Sequence, residues 1–91
     1  MSAIDLKRTH TLSLTDAKTK VQHVADQIAA KFDVDCAWNG DMLNFSRSGV
    51  DGHIKVDAKS VHVFAELGFM LSMMKGPIED AIARYLDDEF S

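Results

Sequence analysis

Residues 13–32, SLTDAKTKVQHVADQIAAKF, repeat their apolar side chains at intervals of three and four: Ala17, Val21, Val24, Ala25, Ile28, Ala29 and Phe32. At 3.6 residues per turn these positions fall on one stripe of a helix about five turns long. Ser13 or Thr15 can cap the first turn, and Asp16 puts a negative charge at the positive end of the helix dipole. A helix with a single apolar stripe gains most of its stability by laying that stripe on another element. The rest of the chain must therefore supply an apolar surface, and what it offers is strands.

Residues 3–12, AIDLKRTHTL, alternate Ile4, Leu6, Arg8 and His10 against Asp5, Lys7, Thr9 and Thr11, which suits a strand with one mixed face near a sheet edge. VDCAW and MLNFSR flank Asn39-Gly40-Asp41, and Asn-Gly between short apolar runs predicts a tight hairpin because both residues tolerate positive φ. SGVDG predicts a second, looser turn with Gly49 and Gly52 as its turn residues. HIKVD and SVHVFAEL then alternate around Ala58-Lys59, so that Ile54, Val56, Val61, Val63, Ala65 and Leu67 share one face. The other face holds His53, Lys55, His62, Phe64 and Glu66, a mainly polar set expected to meet water.

A last helix is expected to start at Pro77, whose fixed φ suits the first helical position, with Gly76 as its cap. Its stripe is Ile78, Ala81, Ile82, Tyr85, Leu86 and Phe90 or Glu89, and the acidic group Asp87, Asp88 and Glu89 at its negative end predicts fraying. Pro77 also argues against one continuous helix from Phe69 to Phe90, so the run before Gly76 should have its own orientation. The fold class that results is α+β: an antiparallel sheet of four to five strands with both helices on one face, as a single domain over residues 1–91.

Composition narrows the function classes. The 91 residues carry a net charge of −4, which disfavours general attraction to nucleic acid or an anionic membrane. Cys36 is the only cysteine, so no disulfide can form within the chain, and a reducing, cytoplasmic setting is expected. MSAIDLKRTH has charges where a signal peptide needs an apolar core, and no run reaches the roughly 18–20 apolar residues of a membrane span.

Residues that could carry chemistry are poorly placed for it. His10, His23, His53 and His62 lack the spacing of a metal cluster, and His23, His53 and His62 read as surface side chains; no metal or other cofactor is expected. Cys36 has a carboxylate and apolar groups beside it, which push a thiol away from thiolate character. Trp38, at strand spacing, reads as a core anchor. No base, nucleophile or ligand set stands at usable spacing, so the chain is expected not to be an enzyme.

One stretch exceeds what a small core needs: AELGFMLSMMKGPIED, residues 65–80. Continued as a strand, Leu67, Phe69, Leu71 and Met73 would extend the core face while Met70 and Met74 join Phe64 on the other, with Gly68 marking a bulge or bend. Two readings stay open. The run closes the core beneath the last helix, or Phe64, Phe69, Met70, Met73 and Met74 form an adaptable apolar surface for a partner, since unbranched methionines repack against varied shapes.

FSRSGVDGHIKV and AELGFMLSMMKGPIEDAIARYLDDEF, together with HTLSLTDAKTKVQHVADQIAAKF, resemble the small bacterial family of polyhydroxyalkanoic acid system proteins. The resemblance rests most on Arg47, Gly49, Val50, Gly52 and Ile54, on Glu66-Leu67-Gly68-Phe69, and on Lys75-Gly76-Pro77-Ile78. It implies association with the storage-polyester system, whose granules present a hydrophobic surface in the cytoplasm; joined to the lack of a catalytic arrangement, the expected role is that of a non-enzymatic accessory protein that binds a granule or a granule-associated protein through the apolar run, while the same run could instead bury itself in a homodimer. The layout is also similar to a shortened helix-grip fold, which implies an alternative: a small binding module for an acyl or hydroxyacyl ligand between sheet and last helix.

Overall fold

The structure, a computed structural model, describes residues 2–90. Strand β1 (Ser2–Thr9) leads into helix α1 (Leu14–Phe32), followed by β2 (Asp35–Asn39), β3 (Met42–Arg47), β4 (Val50–Val56) and β5 (Ser60–Leu67). A 3-10 helix (Phe69–Met74) and helix α2 (Lys75–Phe90) complete the chain. The five strands form one antiparallel sheet in the order β1-β5-β4-β3-β2, as the α+β reading expected.

The position of β1 follows from α1. Strands β2 to β5 are a meander of hairpins, yet β1 pairs with β5 at the far side, so the chain must cross the sheet between β1 and β2. Four interstrand gaps of about 4.8 Å make a width of about 19 Å. The 19 residues of α1, at 1.5 Å each, span about 28 Å and suffice for the crossing. Ser13 caps the helix, its Oγ accepting from Asp16 N–H at 3.1 Å. Its other end is closed by Asp33 in the left-handed region, φ 56°, with its N–H donating to Ala29 O.

Ala17, Val21, Val24, Ala25 and Ile28 of α1 and Ile82 and Leu86 of α2 enter one apolar cluster with the inward sheet residues Ile4, Leu43, Phe45, Ile54, Val56, Val61, Val63, Ala65 and Leu67. Both helices thus cover the same face.

Several local expectations are corrected. The first hairpin turns on Gly40-Asp41, one residue later than Asn39-Gly40: Asn39 pairs with Met42, and only Gly40 takes positive φ, 63°. Lys18 meets that turn, donating from Nζ to Gly40 O at 3.0 Å while lying 5.0 Å from the centre of the Trp38 ring. The second turn is equally tight, Ser48-Gly49 between the paired Arg47 and Val50, with Gly49 at φ 89°. Gly52 is not a turn residue: it lies inside β4 opposite Phe45, whose ring covers it. Trp38 packs on the core from the sheet edge, half-buried, its indole N–H donating to Gln22 Oε1 at 2.6 Å.

His10, on the mixed face of the first strand pattern, is buried. Its Nδ1 accepts from Leu12 N–H at 3.1 Å and its Nε2 lies 2.9 Å from Asp57 O, a pair of partners that only the Nε2–H tautomer satisfies.

Helix α2 starts at Lys75, two residues before Pro77. Proline is tolerated there because the first four amides of a helix have no acceptor within it, and Gly76 has no Cβ to meet the proline ring. The expected break at Gly76-Pro77 is therefore absent; the 3-10 helix passes into α2 with no residue between them. Nor does the far end fray before Phe90. Arg8 meets Asp87 at 2.9 Å, and Lys20 and His23 meet Glu89 at 3.9 and 3.0 Å, so two of the three acidic side chains have basic partners.

Candidate functional site

Leu67 is the last residue of β5 with partners on both sides, Ser2 of β1 and Val50 of β4. Beyond it β4 gives way to the Ser48-Gly49 turn, and after one further bond, Gly68 N–H to Gly49 O at 2.8 Å, the chain leaves the sheet. It coils. Leu71 N–H donates to Gly68 O at 3.0 Å, and Ser72 Oγ to Phe69 O at 2.8 Å.

This changes which side chains share a face. In a 3-10 helix residues three apart are superposed, so the period is three and not the two of a strand. Leu71 and Met74 form one row, Met70 and Met73 a second, Phe69 and Ser72 a third. The Leu71–Met74 row faces the protein: Leu71 packs against the core, with its Cδ1 only 3.3 Å from where a Cβ on Gly49 would stand. The other two rows are left in solvent, Phe69 88%, Met70 86% and Met73 90% exposed, while Met74 at the boundary is 48% exposed. The strand-based assignment of Phe69 and Met73 to the core face is thereby overturned.

Phe64 stands apart from these four. It lies on the sheet face away from the helices, half-buried, with its ring 5.8 Å from that of His53. Also on that outer face His62 Nε2 meets Asp5 Oδ1. Among the described residues no group of three His, Cys, Asp or Glu is arranged to hold a metal ion. Burial first, then the carboxylates of Asp26 and Asp35, pushes the Cys36 thiol above its ordinary pKa. No helix among the described residues is long and apolar enough to cross a membrane.

Beneath the 3-10 helix lies a cavity of about 110 Å³ between α1, α2 and the end of the sheet. Leu71 and Met74 close it from above, Ile78 and Ile82 from α2, Ile28 from α1, and Arg47 is the one charged side chain in its lining. Arg47 is exposed, so it stands at the mouth, where Nη1 donates to Phe32 O at 2.8 Å. The apolar run signalled the outer surface, but nothing in residues 65–80 signalled the cavity, whose lining comes from six elements.

A family model described as "Putative polyhydroxyalkanoic acid system protein" matches residues 4–90. The chain belongs to this family. No curated protein and no solved structure matches it. The match places both this polyhydroxyalkanoic acid system protein's exposed 3-10 helix and its cavity within the family region.

Proposed function

We propose that this is a non-enzymatic accessory protein of the polyhydroxyalkanoate storage system, located in the cytoplasm, which meets the granule surface through Phe69, Met70, Met73 and Met74. The observation that carries the reading is the exposure of three large apolar side chains at 86% or more on one short helix held to the core by Leu71. The segment needs no unfolding to present these side chains, which are already exposed in the folded chain. Full burial of Phe69, Met70 and Met73 is worth about 4.5–9 kcal/mol at 1.5–3 kcal/mol each, with a smaller gain from the half-exposed Met74, against an association cost of about 4–15 kcal/mol. Attachment through a single such segment is therefore weak and reversible. It is also apolar, so salt should not release it.

Co-sedimentation with protein-free polyhydroxyalkanoate particles tests this, using the wild type and Met70→Glu/Met73→Glu, which leaves Leu71 and Met74 in place. Wild-type binding that survives 0.5 M NaCl and is lost in the double variant is the expected result. Binding only to particles that retain their native proteins would move the partner from the polyester to a granule-associated protein. Concentration-dependent light scattering lost in the same variant, without particle binding, would make the segment a homodimer contact.

A second reading, a small module for hydrophobic ligands, is favoured by the cavity. At about 110 Å³ it is smaller than the roughly 300 Å³ at which ordinary ligand pockets begin, so a full fatty-acyl chain is too large for it.

A further inference from the structure

We propose that the cavity beneath the 3-10 helix binds short aliphatic carboxylates, with the alkyl tail inside and the carboxylate at Arg47. This rests on the second reading, not on the granule surface, and narrows the ligand to one size and one charge.

Size comes from the volume. An apolar cavity of about 150 Å³ takes up benzene, six carbons, so 110 Å³ in proportion takes about four. The interior favours a plain hydrocarbon tail, because the side chains that line it are apolar except at Arg47 and offer no partner to a buried hydroxyl or amide. An apolar cavity of this kind is also poorly hydrated, so a tail displaces little water on entry.

Charge comes from Arg47. Its hydrogen bond from Nη1 to the carbonyl of Phe32, another lining residue, occupies one of five N–H donors. Among the described residues no carboxylate lies within ion-pair distance of it, although Arg8, Lys18, Lys20 and Lys75 each have one. A cation so placed, beside an apolar cavity with room for about four carbons, is complementary to a molecule with an anionic head and a four-carbon tail. The head remains in water, so the guanidinium contributes selectivity more than strength.

Pentanoate, 1-pentanol and acetate separate the two contributions. Methyl resonances of Leu71, Ile78 and Ile82 are followed by NMR during titration of the full chain, together with Arg47→Gln and Ala65→Val, the latter adding two methyl groups at a cavity wall. Expected is saturable binding of pentanoate in the millimolar range, at least threefold tighter than 1-pentanol, no methyl shifts with acetate, loss of the preference in Arg47→Gln and loss of both ligands in Ala65→Val. Should Ala65→Val not fold, Val34→Ile at the same cavity replaces it. Pentanol binding as well as pentanoate would overturn the carboxylate assignment and leave the hydrophobic-ligand reading standing. Binding of neither would overturn both. Binding that persists in a folded cavity-filled variant would place the ligand elsewhere and overturn the inference. Met70→Glu/Met73→Glu should bind pentanoate as the wild type does, which keeps this result separate from the granule test.

Discussion

The ring of Phe45 occupies the space above Gly52, its partner across β3 and β4: a Cβ built on Gly52 would stand 2.6 Å from Phe45 Cζ and 2.7 Å from the Phe64 carbonyl oxygen. The aromatic ring does what a side chain on Gly52 would otherwise do, covering the backbone of the central strand from the core side. Gly52→Ala should then cost about 1–3 kcal/mol, since the ring can yield but the carbonyl of a paired strand cannot. Urea unfolding measures it, and a change below about 0.3 kcal/mol would mean that the strand shifts freely.

Gly52 also shows where the sequence could be read and where it could not. Period-two alternation located β4 and β5 and their shared inner face, because burial on one side of a sheet leaves that mark in any sequence. Glycine is ambiguous by contrast: SGVDG is compatible with a loose turn, and only the register that sets Gly52 opposite Phe45 makes it a strand residue. The same limit applied after Leu67. A strand pattern continues through Phe69, Leu71 and Met73 on paper, but a strand needs neighbours, and the point where β4 gives way to a turn is not visible from within residues 65–74. The apolar excess was legible; its period of three was not. Arg47 gave no signal as a cavity residue because its role depends on elements far apart in the chain.

Among the described residues, Asp88 alone of Asp87, Asp88 and Glu89 has no basic partner, and it is exposed at the negative end of α2. Asp88→Lys should stabilise the protein by about 0.3–1 kcal/mol at low salt, with the gain shrinking as salt is added. Asp87→Asn, in contrast, removes both an unfavourable dipole interaction and an exposed ion pair with Arg8, each of that size, and should change stability little. Thermal unfolding of the two variants side by side is the check; equal effects would mean that the ion pair contributes nothing.

Burial, with Asp26 and Asp35 nearby, raises the pKa of Cys36 above the ordinary 9.0. The folded state thus holds the thiol proton more tightly than the unfolded state. Stability from this group is complete below about pH 9 and declines as pH rises through the higher folded value. Alkylation by iodoacetamide should be slower than for a free cysteine at pH 8, and Cys36→Ala should flatten the loss of stability above pH 9. Fast alkylation of the native protein at pH 8 would contradict the placement of the thiol against α1.

The three-residue period of the 3-10 helix separates a residue that supports the fold from one that meets a partner, though both are large, apolar and two positions apart. Leu71 packs on the core and helps close the cavity, so Leu71→Ala removes buried methyl groups and should cost about 1–3 kcal/mol, at the lower end of the usual range because the site is only partly buried. Met73 is 90% exposed and touches none of this, so Met73→Ala should leave stability within about 0.5 kcal/mol. Binding to polyester particles should respond in the opposite sense, weakened by Met73→Ala and, provided the protein stays folded, little altered by Leu71→Ala. If a period of two governed the segment, Leu71 and Met73 would share a face and the two variants would lose stability together. Chemical denaturation and particle binding on the same pair of proteins decide between the two periods.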